Sequence, residues 1–68
     1  MELTEIHLTK REQEVLCGFA AGLSSPEIAN QLFVSKRTVD FHAMHVYEKL
    51  GVNTRIQAIN AARDRGIL

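Results

Sequence analysis

The sequence predicts an all-α domain of four helices, and three observations lead to this fold class. Apolar residues recur at spacings of three, four and seven, which is the period of an α-helix, and no segment alternates polar and apolar residues as a strand would. Helix-capping motifs recur along the chain, and glycine precedes an aliphatic residue at three places. We expect one domain over residues 1–68, with a tri-helical core and a C-terminal helix.

Capping motifs indicate where each helix begins. Three segments fit the capping box, in which two side chains satisfy each other's backbone N–H groups: Thr9 to Glu12, Ser24 to Glu27 and Thr54 to Gln57. Ser35 is a further cap residue that lacks a glutamate partner. The sequence therefore predicts four helix starts.

Glycines indicate where the helices end. Gly22, Gly51 and Gly66 each stand before an aliphatic residue, as expected where a left-handed glycine closes a helix and the next side chain packs back on it. Only the second helix lacks such a glycine. The predicted helices cover residues 9–21, 25–32, 36–50 and 54–65, preceded by a leader over residues 1–7.

The helical period also predicts which residues form the core. We expect Cys17 to be a small core residue, and Gly18 to mark a close helix crossing, because glycine within a helix costs about 1 kcal/mol relative to alanine. The other predicted core residues are Val15, Leu16, Phe19, Leu23, Ile28, Ala29, Leu32, Val39, Val46, Leu50, Ile56, Ile59 and Ala62.

Length and composition exclude several classes of function. A chain of 68 residues has no room for a cleft walled by two layers, and no serine–histidine–acid arrangement stands out, so we expect no enzyme. His42 and His45 have the spacing of a metal pair, but the chain offers no credible third ligand, so we expect neither metal nor cofactor. The apolar runs are too short to span a bilayer, and no signal peptide opens the chain.

The second and third helices are separated by only a few residues. A short helix, a tight turn and a longer helix make the helix-turn-helix arrangement, predicted here over residues 25–50. Many small helical bundles also have short loops, so this spacing alone leaves a plain helical core as an alternative.

The third helix carries apolar side chains on the face that should meet solvent. At 100° per residue, the buried side contains Val39 and the residues within about 60° of it: His42, Ala43, Val46 and Leu50. The opposite side contains Arg37, Phe41, Met44 and Glu48, flanked by Asp40 and His45. An apolar outer stripe indicates contact with another molecule, either thymine methyl groups in a major groove or a protein partner.

Two residues of this helix have two interpretations each. His42 fits a packed, hydrogen-bonded histidine, and it also fits a contact at the margin of a groove. Asp40 could stabilise the helix near its N-terminus and pair with Lys36 or Arg37, or accept a hydrogen bond from the amino group of cytosine.

Three separated motifs resemble one family over the whole chain from Leu8 onward. "LTKREQEVL" (Leu8 to Leu16), "AAGLSSPEIANQLFVSKRTVDFH" (Ala20 to His42) and "KLGVNTRIQAI" (Lys49 to Ile59) are similar to the LuxR-type, or GerE-like, helix-turn-helix domain. This domain is the output domain of NarL/FixJ-type response regulators and quorum-sensing regulators, and it also occurs in small stand-alone regulators.

The resemblance implies a bacterial transcriptional regulator that binds double-stranded DNA with its third helix in the major groove. Arg37 matches a position that often holds a DNA-contacting cation, and Phe41 matches a variable, base-facing position. Asp40 and Met44 stand where many relatives hold lysines that touch DNA. The expected DNA-binding residues are Ser24, Ser25, Ser35, Lys36, Arg37, Thr38, Asp40, Phe41, Met44, His45 and Lys49, with free backbone N–H groups at Ser24 and Ser25 as phosphate donors.

The resemblance also implies further partners and a location. The last helix commonly supplies a dimer contact, here expected from Gln57, Ala58, Ala61, Ala62 and Arg65. RNA polymerase is a further candidate partner, and we expect a soluble cytoplasmic, nucleoid-associated protein without a membrane partner. Because Lys plus Arg equal Asp plus Glu at 8 each, the net charge is zero, and the alternative is a protein-interaction module that keeps the fold and binds DNA weakly or not at all.

Overall fold

The computed structural model describes residues 6–68, which contain four α-helices and no strand. The helices are α1 (Lys10–Ala20), α2 (Ser25–Leu32), α3 (Lys36–Leu50) and α4 (Arg55–Asp64). The all-α prediction is confirmed, and each predicted helix end is correct to within one residue. Residues 1–5 of the predicted leader lie outside the described residues. No helix in the described range is long and apolar enough to cross a membrane.

Two of the predicted capping boxes are complete. Thr9 Oγ1 accepts a hydrogen bond from the Glu12 N–H at 3.2 Å, and Glu12 Oε1 accepts one from the Thr9 N–H at 2.9 Å. Ser24 and Glu27 make the same pair of bonds, at 3.3 and 2.8 Å. Ser35 caps α3 alone, because its Oγ accepts the Thr38 N–H at 3.1 Å. The capping residues in the sequence were therefore sufficient to predict where α1, α2 and α3 begin.

The third predicted box is only half formed. Thr54 Oγ1 accepts the Gln57 N–H at 3.2 Å, as expected. The amide of Gln57 instead accepts a hydrogen bond from the Asn53 N–H, at 2.9 Å, one residue earlier than the box requires. The prediction of a reciprocal box is wrong at α4, because the Gln57 side chain accepts from the N–H of the loop residue Asn53 and not from that of the cap residue Thr54.

All four helices end with the same kind of hydrogen bond. After Gly22, Gly51 and Gly66, whose φ angles are 87°, 69° and 75°, the next N–H donates to the carbonyl five residues earlier. At the end of α2 the left-handed position is held by Phe33, with φ of 58°, and the Val34 N–H donates to the Ala29 carbonyl at 3.0 Å. A phenylalanine therefore performs the role that glycine has elsewhere, at the cost of backbone strain.

Helix α3 lies at the centre and contacts the other three helices. One core cluster joins α1, α2 and α3, and the second joins α1, α3 and α4. The first contains Val15, Phe19, Ile28, Ala29, Val39 and Ala43, with Leu23, Leu32 and Ile59 packed against it. The second contains Leu16, Val46, Leu50, Ala58 and Ala62. This packing holds α2 and α3 as a rigid pair.

Two predicted core residues are instead exposed. Ile56 is 71% exposed, because the inward face of α4 is formed by Ala58 and Ala62, which are fully buried. Cys17 is also exposed, because Glu12, Val15, Leu16 and Phe19 form the buried face of α1 and position 17 lies outside that face.

The close crossing predicted at Gly18 is confirmed. A Cβ atom placed there would lie 2.7 Å from both Cγ1 and Cδ1 of Ile28, which is too close for a van der Waals contact. Glycine in the middle of α1 thus allows α2 to approach and bury Ile28.

Candidate nucleic-acid interface

The outer face of α3 is exposed as the sequence indicated. Val39, Ala43 and Val46 are buried on the inner side of the helix. On the outer side, Phe41 and Met44 are each 54% exposed, and Arg37 is exposed one turn before Phe41. The inner face therefore fixes the helix in the domain and leaves these outer side chains available to a partner.

The N-terminus of α3 is closed by its own hydroxyl groups. The Oγ of Ser35 and the Oγ1 of Thr38 lie 3.0 Å apart, in addition to the Ser35 cap bond to the Thr38 N–H. Ser35 remains exposed, and Thr38 is half-buried. A DNA contact from either hydroxyl stays a prediction, and it would share the oxygen with this local pair.

Asp40 is paired with a lysine one turn earlier. Lys36 Nζ lies 2.6 Å from Asp40 Oδ2, and both side chains are largely exposed. This hydrogen bond holds the pKa of Asp40 below its ordinary value; slight desolvation opposes the effect, and the Ser25 hydroxyl and the Arg55 charge add to it. The local pairing expected for Asp40 is present, and it neutralises one of the cations expected to reach DNA.

Phe41 lies between two imidazole rings. Its ring makes an edge contact with His45, at a centroid distance of 4.5 Å, and a wider one with His42, at 5.8 Å. His45 Nδ1 also lies 3.8 Å from Glu48 Oε1. Histidines 42 and 45 thus support the phenyl ring, and both are half-buried. Of the two interpretations of His42, the structure favours the packed one.

Lys49 makes contacts inside the domain. Its Nζ donates to Glu12 Oε1 at 2.6 Å and to the His7 carbonyl at 2.9 Å. Burial of the Glu12 side chain would raise its pKa, but the bonds from Lys49 and from the Thr9 N–H, with the charge of Lys49, outweigh burial and lower it. A phosphate contact by Lys49 stays a prediction, and it would compete with this ion pair.

The N-terminus of α2 offers fewer N–H groups than the sequence suggested. The N–H groups of Ser24 and Glu27 are both used in the capping box, and Pro26 has none. In this turn the capping box leaves only the Ser25 N–H unused. The Ser25 side chain is buried, and its Oγ lies 3.5 Å from Arg55 Nη2. Of the two N–H groups expected to be free, the one of Ser24 is therefore used within the box, and a phosphate contact from the Ser25 N–H stays a prediction.

Arg55 joins the start of α4 to the α1–α2 turn. Its guanidinium carbon lies 3.9 Å from the centre of the Phe19 ring, and Nη1 donates to the Leu23 carbonyl at 3.2 Å. Arg55 is therefore half-buried within the domain and is not an ordinary solvated surface cation.

The surface of α4 differs from the predicted dimer surface. Ala58 and Ala62 are fully buried against the second core cluster, so the prediction that they form an outer contact is wrong. Gln57 and Arg65 are exposed, and Ala61 is half-buried. Of the predicted contact residues, Gln57, Ala61 and Arg65 therefore stay available, and Ile56 adds an exposed aliphatic side chain to α4.

Metal chemistry has no visible support in the described range. Across residues 6–68, no three or more side chains of His, Cys, Asp or Glu come together as a metal site would require.

Sequence reasoning missed two long-range links. Glu12 and Lys49 are 37 positions apart, and Arg55 lies 32 positions from Leu23. Glu12 was readable only as part of a cap, and no local pattern marks it as buried. For Arg55 the local sequence gives only its place directly after the Thr54 cap, and nothing there marks its contacts with Phe19 and Leu23.

Comparison with known proteins gives the same assignment. Residues 7–62 match the family described as bacterial regulatory proteins, luxR family. A protein named as an HTH-type transcriptional regulator, Mb0914c of Mycobacterium bovis, is 48% identical over 59 residues, covering 87% of this chain and 7% of that protein. The chain thus spans a small part of this relative.

Two solved structures share the fold. The response regulator ChrA of a heme-sensing two-component system matches with a TM-score of 0.88 and 41% identity, over 97% of this chain and 33% of that one. The transcription factor GerE matches with a TM-score of 0.82 and 37% identity, over 87% of this chain and 88% of that one. A helix-turn-helix domain of this kind is a DNA-binding unit of transcription regulators and not an enzyme. The chain belongs to the luxR family of bacterial regulatory proteins.

Proposed function

We propose that this domain recognises a specific sequence of double-stranded DNA by inserting α3 into the major groove. The observation that carries the proposal is the outer face of α3, where Phe41 and Met44 are each 54% exposed while the opposite side is sealed in the core. Arg37 stands on the same face, and among residues 6–68 it is the one cation of α3 without a carboxylate partner, since Lys36 and Lys49 are paired. A major groove accommodates a helix with this distribution.

We propose further that the protein binds as a homodimer through α4, with two copies of α3 about one DNA turn apart. Gln57, Ala61 and Arg65 remain available for this contact, and Ile56 adds an exposed aliphatic side chain beside them. Two linked domains would offset the small number of free cations in each, because the second binding event is intramolecular. Contact with RNA polymerase is a further proposal for the surfaces that DNA leaves uncovered.

NMR titration tests this function. A duplex enriched from a random-sequence pool is added to ¹⁵N-labelled protein, and amide shifts are expected in residues 35–48. Arg37→Ala should weaken binding at least several-fold, while Arg63→Ala, a change at an exposed cation of α4, is the matched control. Shifts confined to other parts of the domain would reject the proposal.

A protein-interaction module is the second candidate, favoured by the zero net charge, by Asp40 and Glu48 on α3, and by the exposed Phe41 and Met44. Asp40→Lys separates the two functions. If DNA is the ligand, affinity for DNA should rise, because the variant adds one cation and frees Lys36 from its partner. If a protein is the ligand, binding of that protein should fall instead.

A further inference from the structure

We propose that the outer face of α3 selects its DNA site by apolar contact with thymine methyl groups, made by Phe41 and Met44. This inference rests on the proposed binding of α3 in the major groove. It names the base feature that is read, and it differs from recognition by lysine side chains, which the resembled family often has at positions 40 and 44.

The two apolar side chains form one continuous patch. Phe41 and Met44 are three residues apart on α3, so they lie side by side on the helix surface, and more than half of each is exposed. The thymine C5-methyl group is the apolar feature that base edges present in the major groove. Burial of such a methyl against a phenyl ring or a thioether removes apolar surface from water on both partners.

The phenyl ring is already held in place before any ligand arrives. Its edge contacts with the His45 and His42 rings, at 4.5 and 5.8 Å, restrict its rotation. A side chain that is ordered in advance loses less entropy on binding. Met44 is flexible and polarizable, so it can adapt to the remaining apolar surface.

The side chains on this face of α3 disfavour contact with a guanine base. Guanine presents only acceptors in the major groove, at N7 and O6. Phe41 and Met44 have no donor for them, and Asp40 is an acceptor itself, because its pKa is lowered and it remains ionised. Acceptors covered by these side chains would be desolvated without partners, which costs affinity. A thymine instead presents its methyl group, which Phe41 and Met44 can cover at no such cost.

Replacement of thymine by deoxyuridine tests the inference, since it removes the methyl group and leaves the hydrogen-bonding pattern unchanged. In the most enriched duplex from a random pool, each thymine is replaced singly and the Kd is measured by fluorescence anisotropy. At contacted thymines the Kd should rise about fourfold, the change that corresponds to burial of about one methylene. At other thymines it should not change.

Protein variants assign the effect to the two side chains. Phe41→Ala and Met44→Ala should each lower affinity for the thymine duplex and bring the uridine-to-thymine Kd ratio close to one at their own position. Phe33→Ala is the matched control, because Phe33 is an apolar residue that is 94% exposed outside α3, and the ratio should stay as in the wild type. Thermal unfolding checks that each variant is folded.

The outcomes separate this inference from the function on which it rests. Amide shifts in α3 together with equal affinity for thymine and uridine duplexes overturn methyl recognition and leave DNA binding by α3 intact. Enriched duplexes without thymine at fixed positions also overturn it. Failure to enrich any duplex, or shifts away from α3, rejects both proposals.

Discussion

Gly18 shows how one missing side chain sets a helix crossing. The Ile28 side chain is fully buried and occupies the space where a Cβ atom of residue 18 would lie. Since interiors are close-packed, Ile28 has little room to move away. The helix propensity lost at this position is therefore offset by closer packing between α1 and α2.

We predict that Gly18→Ala lowers the free energy of unfolding. Overpacking typically costs about 1–3 kcal/mol and the gain in helix propensity returns about 1 kcal/mol, so a net loss near 1 kcal/mol is expected in urea denaturation. In an Ile28→Val background, which lacks Cδ1, the same substitution should cost less. An equal cost in both backgrounds would show that Ile28 is not the obstacle.

Phe33 combines an unfavourable backbone conformation with an exposed aromatic ring. Its φ of 58° lies in the left-handed region, and its ring is 94% exposed. A left-handed conformation costs a residue with a side chain about 1–2 kcal/mol, and asparagine tolerates it better than most residues.

Phe33→Asn should therefore stabilise the domain by about 0.5–1 kcal/mol, measured by thermal or urea unfolding. Phe33→Ala is the matched control, since it removes the exposed ring and keeps the strained backbone, and it should change stability by less than about 0.5 kcal/mol. If alanine stabilises as much as asparagine, ring exposure and not backbone strain is the source of the cost.

At the scale of elements, the Glu12–Lys49 pair ties the start of α1 to the end of α3. The Glu12 side chain is buried, Lys49 is partly exposed, and the same ammonium group also holds the His7 carbonyl. The N-terminal segment, α1 and α3 are thereby joined at one point. This link helps to keep α3 in a fixed position relative to the rest of the domain.

Glu12→Gln should lower the free energy of unfolding by about 1–3 kcal/mol at pH 7, because a charged hydrogen bond is lost. The folded pKa of Glu12 lies below its unfolded value, so its contribution is present above the unfolded pKa and is lost as the pH falls through the folded pKa. Unfolding curves between neutral and acid pH should therefore converge for variant and wild type in acid.

Glu14→Gln is the control for this effect. Glu14 pairs with Arg11 at 3.2 Å on the surface, and such exposed pairs contribute little. A loss at pH 7 that is equal for both variants would contradict a special role of the buried pair.

Local signals predicted the elements well and their packing less well. Gly22, Gly51 and Gly66 act through backbone geometry that neighbouring residues determine, so the helix ends could be predicted. Ile56 and Ala58 both fit a helical period. Ala58 is the buried one of the two, because α4 packs closely against the second core cluster through this residue. In the candidate site, the outward Phe41 and Met44 followed from the period of α3, whereas the internal bonds of Lys49 and Arg55 depend on tertiary contacts.

At the scale of the whole molecule, the balance of charge leaves few cations for DNA. The net charge is zero, and within the described part of the chain Arg37 is the only cation of α3 that lacks a carboxylate partner. Each neutralised phosphate contributes a slope of about −0.9 to the dependence of log K on log salt. The domain should therefore show weak binding with a shallow salt dependence.

Asp40→Asn should make this salt dependence steeper, by up to about 0.9 for each bound domain, because Lys36 loses its partner and can reach a phosphate. Arg37→Ala should make it shallower by a similar amount if that residue contacts a phosphate. Arg63→Ala should leave the slope unchanged. Anisotropy titrations over a series of salt concentrations measure all three, and an unchanged slope in Asp40→Asn would show that the pair does not restrain Lys36.

Arg55 restricts how α4 can move relative to the rest of the domain. The guanidinium group rests on the Phe19 ring and is bonded to Leu23 and Ser25, so one side chain braces α4 against both helices that precede α3. An outward tilt of α4 would break the contact of Arg55 with the Phe19 ring and both of its hydrogen bonds at the same time. In the proposed dimer, each α4 would thus move together with its own domain, and the distance between the two α3 helices would be set by the α4 contact and not by bending within each copy.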